Sequence, residues 1–241
     1  MKKKLLAAAL AVALIAIMVT GTLAYFTAGD EATNTFTVGS VDIEIYENGN
    51  ATDKDVIAFD EMLVPVVADD PTQDDGYIPK AVKVESTGRN AAYIRAHIAI
   101  PTALVGYLML DVDTQSGWTQ VATTTATKDG VAYTVYTYDY DAAVEPAQFT
   151  TELLKGVYLA SDVDVKDNPD TQSADLEFCK PNGDGTYTFT GFVAHEKTDA
   201  GYSTATVNVL VASQAIQSQG FDNGATDALD TGFVANTNPW Q

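Results

Sequence analysis

Cysteine is almost absent: Cys179 is the only one in 241 residues. A lone thiol closes no internal disulfide, which excludes a disulfide-stapled scaffold. Histidine is nearly as scarce, with His97 and His195 alone. Two imidazoles on separate polar segments leave Ser-His-Asp chemistry little to build on. Lysine and arginine number 13 against 33 aspartates and glutamates, a formal balance of −20. A surface of that sign repels nucleic acid and anionic membranes and draws cations or basic partners. There is no internal repeat and no glycine-rich phosphate loop, and nothing in the residue pattern calls for a cofactor.

The N-terminus carries a different kind of signal. Lys2, Lys3 and Lys4 precede an unbroken apolar run over residues 5–19, and Thr22 and Ala24 then supply a small-x-small end. A charged start, a short apolar core and such an end read as a signal peptide, here residues 1–24, cut between Ala24 and Tyr25. The run is short for a bilayer span, which needs about 20 apolar residues. Residues 25–38 then form an extended arm, and residues 39–234 a β-domain. In the tail, residues 235–241, neither an apolar anchor nor a wall-sorting signal is expected. Loss of the three lysines with the signal makes the secreted chain more acidic still.

The body of the chain alternates. Val41, Ile43 and Ile45 share one parity, whereas Phe36 and Val38 occupy the other, so Gly39 reads as a bulge or kink. Residues 78–85 and 91–100 form a strand–turn–strand pair, with Val82 and Val84, then Ile94, Ala96, Ile98 and Ile100, facing inward. Tyr93, Arg95 and His97 share the opposite face, where His97 reads as a solvated strand residue. Asn48-Gly49 and Asp129-Gly130 are hairpin turns. Tyr133, Tyr136, Tyr138 and Tyr140 form an aromatic run suited to cross-strand packing. Residues 161–170 are acidic, but Lys166 stands where a calcium loop needs an oxygen ligand. His195-Glu196 lacks the second histidine of a zinc-protease helix, since the fifth position is Asp199, and the turn residues after it read as a loop. Cys179, at a strand end, reads as a buried thiol. Ala225, Ala228, Leu229 and Phe233 recur at helical spacing, predicting a short C-terminal helix that plugs one open end of the sheets. Many short strands separated by turn signals predict an all-β sandwich.

Three stretches carry a resemblance: GTLAYFT with ATNTFTVGSVDIEI near the N-terminus, PKAVKVESTGRNAAYIRAHIAIP in the centre, and QAIQSQGF towards the end. Together they resemble the TasA/camelysin family of exported Gram-positive proteins. The resemblance implies a jelly-roll-like sandwich, with an Ig-like one as the alternative, and export through a dedicated signal peptidase. It also implies a secreted biofilm-matrix protein that assembles into fibres with itself or with related matrix subunits. Camelysin is described as a metalloprotease, but the missing H-E-x-x-H pattern keeps that activity from carrying over to this chain. The assembly expected is strand donation by the freed arm, with Tyr25, Phe26, Phe36 and Val38 as anchors. The other expectation is a monomeric cell-surface binding module or adhesin whose arm folds back into its own domain.

Overall fold

A computed structural model describes residues 27–29, 40–52, 56–58, 63–204, 206–233 and 239–240. The signal segment, the cleavage pair Ala24 and Tyr25, and the arm residues Phe26, Phe36 and Val38 lie outside the described residues.

In chain order the early strands are β1 (Thr27–Gly29), β2 (Ile43–Glu47), β3 (Asn50–Thr52), β4 (Val56–Ala58), β5 (Ile78–Ser86) and β6 (Ala92–Pro101). There follow β7 (Leu108–Val112), β8 (Trp118–Lys128), β9 (Val131–Tyr140), β10 (Leu154–Leu159) and β11 (Asp164–Asp167). The last are β12 (Leu176–Pro181), β13 (Tyr187–Thr198), β14 (Gly201–Thr204) and β15 (Asn208–Gln217), before one short helix, α1 (Ala225–Gly232). The described residues are therefore all-β apart from α1 and two short 3-10 turns.

Three sheets result. The first runs β1-β15-β6-β9-β8, with β4 also paired to β15; the second runs β3-β2-β5-β10-β7; the third runs β11-β12-β13-β14. The hairpin turns form as their residues demand. Asn48 and Gly49 have φ of 48° and 82°, and Asp129 and Gly130 have 52° and 81°. Two successive positive φ values match the twist of the flanking strands.

The alternation read from the sequence sets the core. Ile94, Ala96, Ile98 and Ile100 of β6 and Val209, Val211 and Ala215 of β15 face Ile43, Ile45, Val82, Val84, Leu154, Val157 and Leu159 of the second sheet, and all are buried in one cluster. Each such aliphatic side chain contributes about 1.5–3 kcal/mol of transfer free energy. Trp118 closes one margin of this layer, its ring 5.0 Å from that of Tyr140 and its indole N–H donating to the Thr151 carbonyl at 3.1 Å. Phe178, Ala194 and Val163 join the third sheet to the same core.

Several local readings change. The four tyrosines of β9 divide between two faces: Tyr136, Tyr138 and Tyr140 pack inward, and Tyr133 packs outward with Ala99, Val135 and Leu210. After β6 the chain makes a 3-10 turn, Thr102–Leu104, before β7. The aspartate-rich loop after residue 68 is pinned by one of its own carboxylates. The Asp74 carboxylate accepts from the backbone N–H groups of Gly76 (2.9 Å), Val67 (3.0 Å) and Ala68 (3.1 Å), which hold its pKa below the ordinary carboxylate range. Helix α1 does not plug a sheet end. It lies over the outer face of the first sheet, with Ala225, Ala228 and Leu229 against Ile216 and Tyr93. Ile216 and Tyr93 give that face the apolar surface the helix covers.

Candidate functional site

Strand β15 is the centre of the first sheet's less regular side. Along one edge it pairs with β6 without interruption from Leu210↔Ala99 to Gln217↔Ala92. Along its other edge it meets two short strands end to end. β4 pairs at Asn208↔Ala58, Val209↔Ile57 and Leu210↔Val56. β1 pairs at Gln214↔Gly29, Ala215↔Ala28 and Ile216↔Thr27. Between the two seats, at residues 211–213, no strand pairing is present among the described residues. Among the described residues, an edge as long as its neighbour is thus met by two three-residue pieces. Strand edges are templates for pairing, and short pieces held by a few backbone hydrogen bonds are the least costly to exchange.

The side chains of β15 that point away from the core meet a polar row. Gln214, Arg95 and Asp139 are neighbours across β15, β6 and β9, as are Ala212, His97 and Thr137 one step along. The Arg95 guanidinium is completely buried and makes four contacts. Its Nε donates to Asp139 Oδ1 at 2.6 Å and its Nη2 to Asp139 Oδ2 at 2.9 Å. Nη2 also donates to Asp230 Oδ1 of α1 at 2.7 Å, and Nη1 to the Phe233 carbonyl just beyond α1 at 3.1 Å. Burial opposes the charge, but the bonds from Asp139 and Asp230 outweigh it and hold the pKa above the ordinary arginine value.

His97 is buried beside it, at 1% exposure, not solvated as expected. Its Nδ1 lies 3.0 Å from the Thr137 hydroxyl and its Nε2 3.1 Å from the Gln214 carboxamide oxygen. A neutral ring with its hydrogen on Nε2 satisfies both contacts. Burial pushes its pKa down to about 4 against the lift from the Gln214 bond, and the Arg95 charge adds to the depression. Alternation correctly put Arg95 and His97 on the face opposite the core. It carried no sign that a helix covers that face. The available clue was the pair of charges, Arg95 amid apolar residues and Asp139 between two tyrosines, since charges in such runs are paired when buried.

The other candidates separate from this row. His195 and Glu196 lie within β13, not in a loop; His195 pairs with Leu176 and Thr204. The turn read at residues 198–201 is real, but the strand runs up to it. No group of three or more metal-ligating side chains is present among the described residues. Cys179 is fully buried in β12, and burial raises its thiol pKa. Native protein is therefore expected to resist an aromatic disulfide reagent until denaturant is added; fast modification in buffer would contradict the burial. Four lysines also rest on aromatic rings. Lys83 lies 4.1 Å from the Phe149 ring centroid, Lys197 4.4 Å from Tyr202, Lys166 4.8 Å from Tyr187 and Lys180 5.1 Å from Tyr107.

No family model, curated protein or solved structure matches the chain. The functional reading therefore rests on the resemblance in the sequence and on the edge described above.

Proposed function

We propose that this chain is a secreted structural protein of an extracellular matrix and that its mature form assembles head to tail by donating its N-terminal arm. The observation that carries the reading is the outer edge of β15, paired among the described residues with only β1 and β4. A longer strand from a second copy could run the length of that edge, including residues 211–213. β1 itself comes from the proposed arm, residues 25–38, so the segment already has an affinity for this strand. Exchange between copies re-forms the same backbone ladder, and each copy both gives and receives an arm, which generates an open filament instead of a closed ring. Cutting between Ala24 and Tyr25 would free the donor end.

The strand order supports the jelly-roll reading over the Ig-like one. Consecutive strands β5 and β6, β6 and β7, β7 and β8, and β9 and β10 alternate between the first two sheets. In this arrangement β1 and β4 together occupy one edge position beside β15.

One observation favours the second reading, a monomeric surface-binding module. β1 sits on β15 of its own chain. Size-exclusion chromatography and negative-stain microscopy of the mature chain separate the two. Filaments that disappear when residues 25–38 are deleted are the expected result. Filaments that persist after the deletion would overturn strand donation, and a clean monomer at high concentration would leave the binding module.

A further inference from the structure

We infer that α1 is a latch on the strand that seats β1. This rests on the proposed exchange only for its consequence in assembly; the latch itself is a property of one molecule. The C-terminal half of β15 is held on three sides. β6 pairs along one edge, β1 along the other, and α1 lies over the outward side chains. One residue serves both partners, and its neighbour ties the seat to the polar row. Ile216 is opposite Thr27 of β1, and its side chain is clustered with Ala225, Ala228 and Leu229 of α1. Gln214 is opposite Gly29, pairs with Arg95 on β6, and holds His97 with its side chain. The seat of β4 is different. Leu210, opposite Val56, sits in a separate cluster with Ala99, Ala126, Tyr133 and Val135.

The fastening is built to open. α1 and the residue that follows it supply only two of the four hydrogen bonds to Arg95, through Asp230 and the Phe233 carbonyl. When α1 lifts, the two bonds to Asp139 remain, so the buried guanidinium is never left without its counter-ion. The Asp230 side chain is 55% exposed, whereas Asp139 is wholly enclosed. α1 has eight residues and no side-chain cap at its N-terminus. A helix of that length has little stability away from the surface it covers, so it leaves as a unit. Its departure removes the cover from Ile216 and loosens the strand at the β1 seat, while the β4 seat keeps its own packing.

The test is NMR-detected hydrogen exchange on the full mature chain held monomeric at low concentration, comparing wild type with Asp230→Asn and with Leu229→Ala. Asp230→Asn leaves the Arg95–Asp139 pair intact and should not unfold the domain. Removal of a half-exposed charged partner should speed exchange at β1 and residues 214–217 by about tenfold. Amides of β4 and residues 208–210 should keep their wild-type rates in both variants. Unchanged rates at β1, or equal acceleration at both seats, would overturn the latch. Filament growth of the same proteins is read separately. Selective opening with faster growth supports latch control of assembly, and selective opening with wild-type growth overturns that control. If no protein polymerises at all, the assembly reading fails while selective opening still upholds the latch.

Discussion

Replacing Arg95 by alanine is expected to lower stability by about 3–5 kcal/mol, the range found when one member of a buried ion pair is removed. Three features place the substitution in that range. Arg95 and Asp139 are both 0% exposed, so the aspartate would keep its charge in a site that water does not reach. The pair is bidentate, at 2.6 and 2.9 Å, so two bonds are lost together. The substitution also releases Asp230 and the Phe233 carbonyl, and with them the seat of α1. A domain whose total stability is of the order of 5–15 kcal/mol loses a large share of it this way. Urea denaturation of the two proteins measures the difference. Arg95→Lys should fall between them, because an ammonium keeps the charge but cannot match both carboxylate oxygens. The double variant Arg95→Met with Asp139→Leu should recover most of the loss, since removing both charges leaves none unpaired. A single-variant loss below about 1 kcal/mol, typical of exposed pairs, would mean that the cluster is hydrated in solution.

The second large effect is on pH dependence. His97 has its pKa lowered from 6.5 to about 4. The unfolded chain therefore takes up a proton before the native one does, and stability falls as pH drops. The contribution of the neutral ring is fully present above about pH 6.5. It declines between 6.5 and about 4, and below that both states carry the proton and the loss is complete. A displacement of that size corresponds to about 3 kcal/mol. Charged groups around the ring act in opposite senses: Arg95 on the same strand depresses the pKa and Asp139 on β9 raises it, while Gln214 on β15 and Thr137 on β9 are neutral partners. Denaturation midpoints for wild type and His97→Gln, followed from pH 7 to pH 4, isolate this group from the carboxylates. The wild-type curve should fall more steeply by about the amount stated, and parallel curves would show that the imidazole titrates as an exposed one does.

What the sequence made legible follows from its periodicities. Val82, Val84, Ile94, Ala96 and Ile98 alternate strictly around a polar turn, and β5 and β6 form where that pattern lies. Asn48-Gly49 and Asp129-Gly130 carry their turn geometry in their residue types. Alternation names a face, however, not what covers it. Alternation puts Arg95 and His97 on the correct side but not under their partners: Arg95 is bonded by Asp230 of α1, more than 120 residues later, and His97 lies between Thr137 and Gln214 of two neighbouring strands. The spacing of Ala225, Ala228 and Leu229 likewise identified the apolar side of the helix but not its seat. The third sheet was hidden for a similar reason. Asp164, Lys166 and Asp167 look like a solvated acidic loop, yet they belong to β11 because β12 supplies a backbone partner and Val165 and Phe178 supply the apolar contact. The division of β15's outer edge between β1 and β4 depends on long-range pairing, and local residue patterns hold no information about it.

The lysines resting on aromatic rings have a consequence for how two copies approach. With their ammonium groups held against Phe149, Tyr187, Tyr107 and Tyr202, these four of the 13 cations are positioned to serve their own molecule. Beyond contact range the carboxylates set the potential, and it is repulsive between like molecules. Counter-ions shorten its reach to about 10 Å at 0.1 M ionic strength. The salinity of the surroundings thus sets how often one copy comes within reach of another.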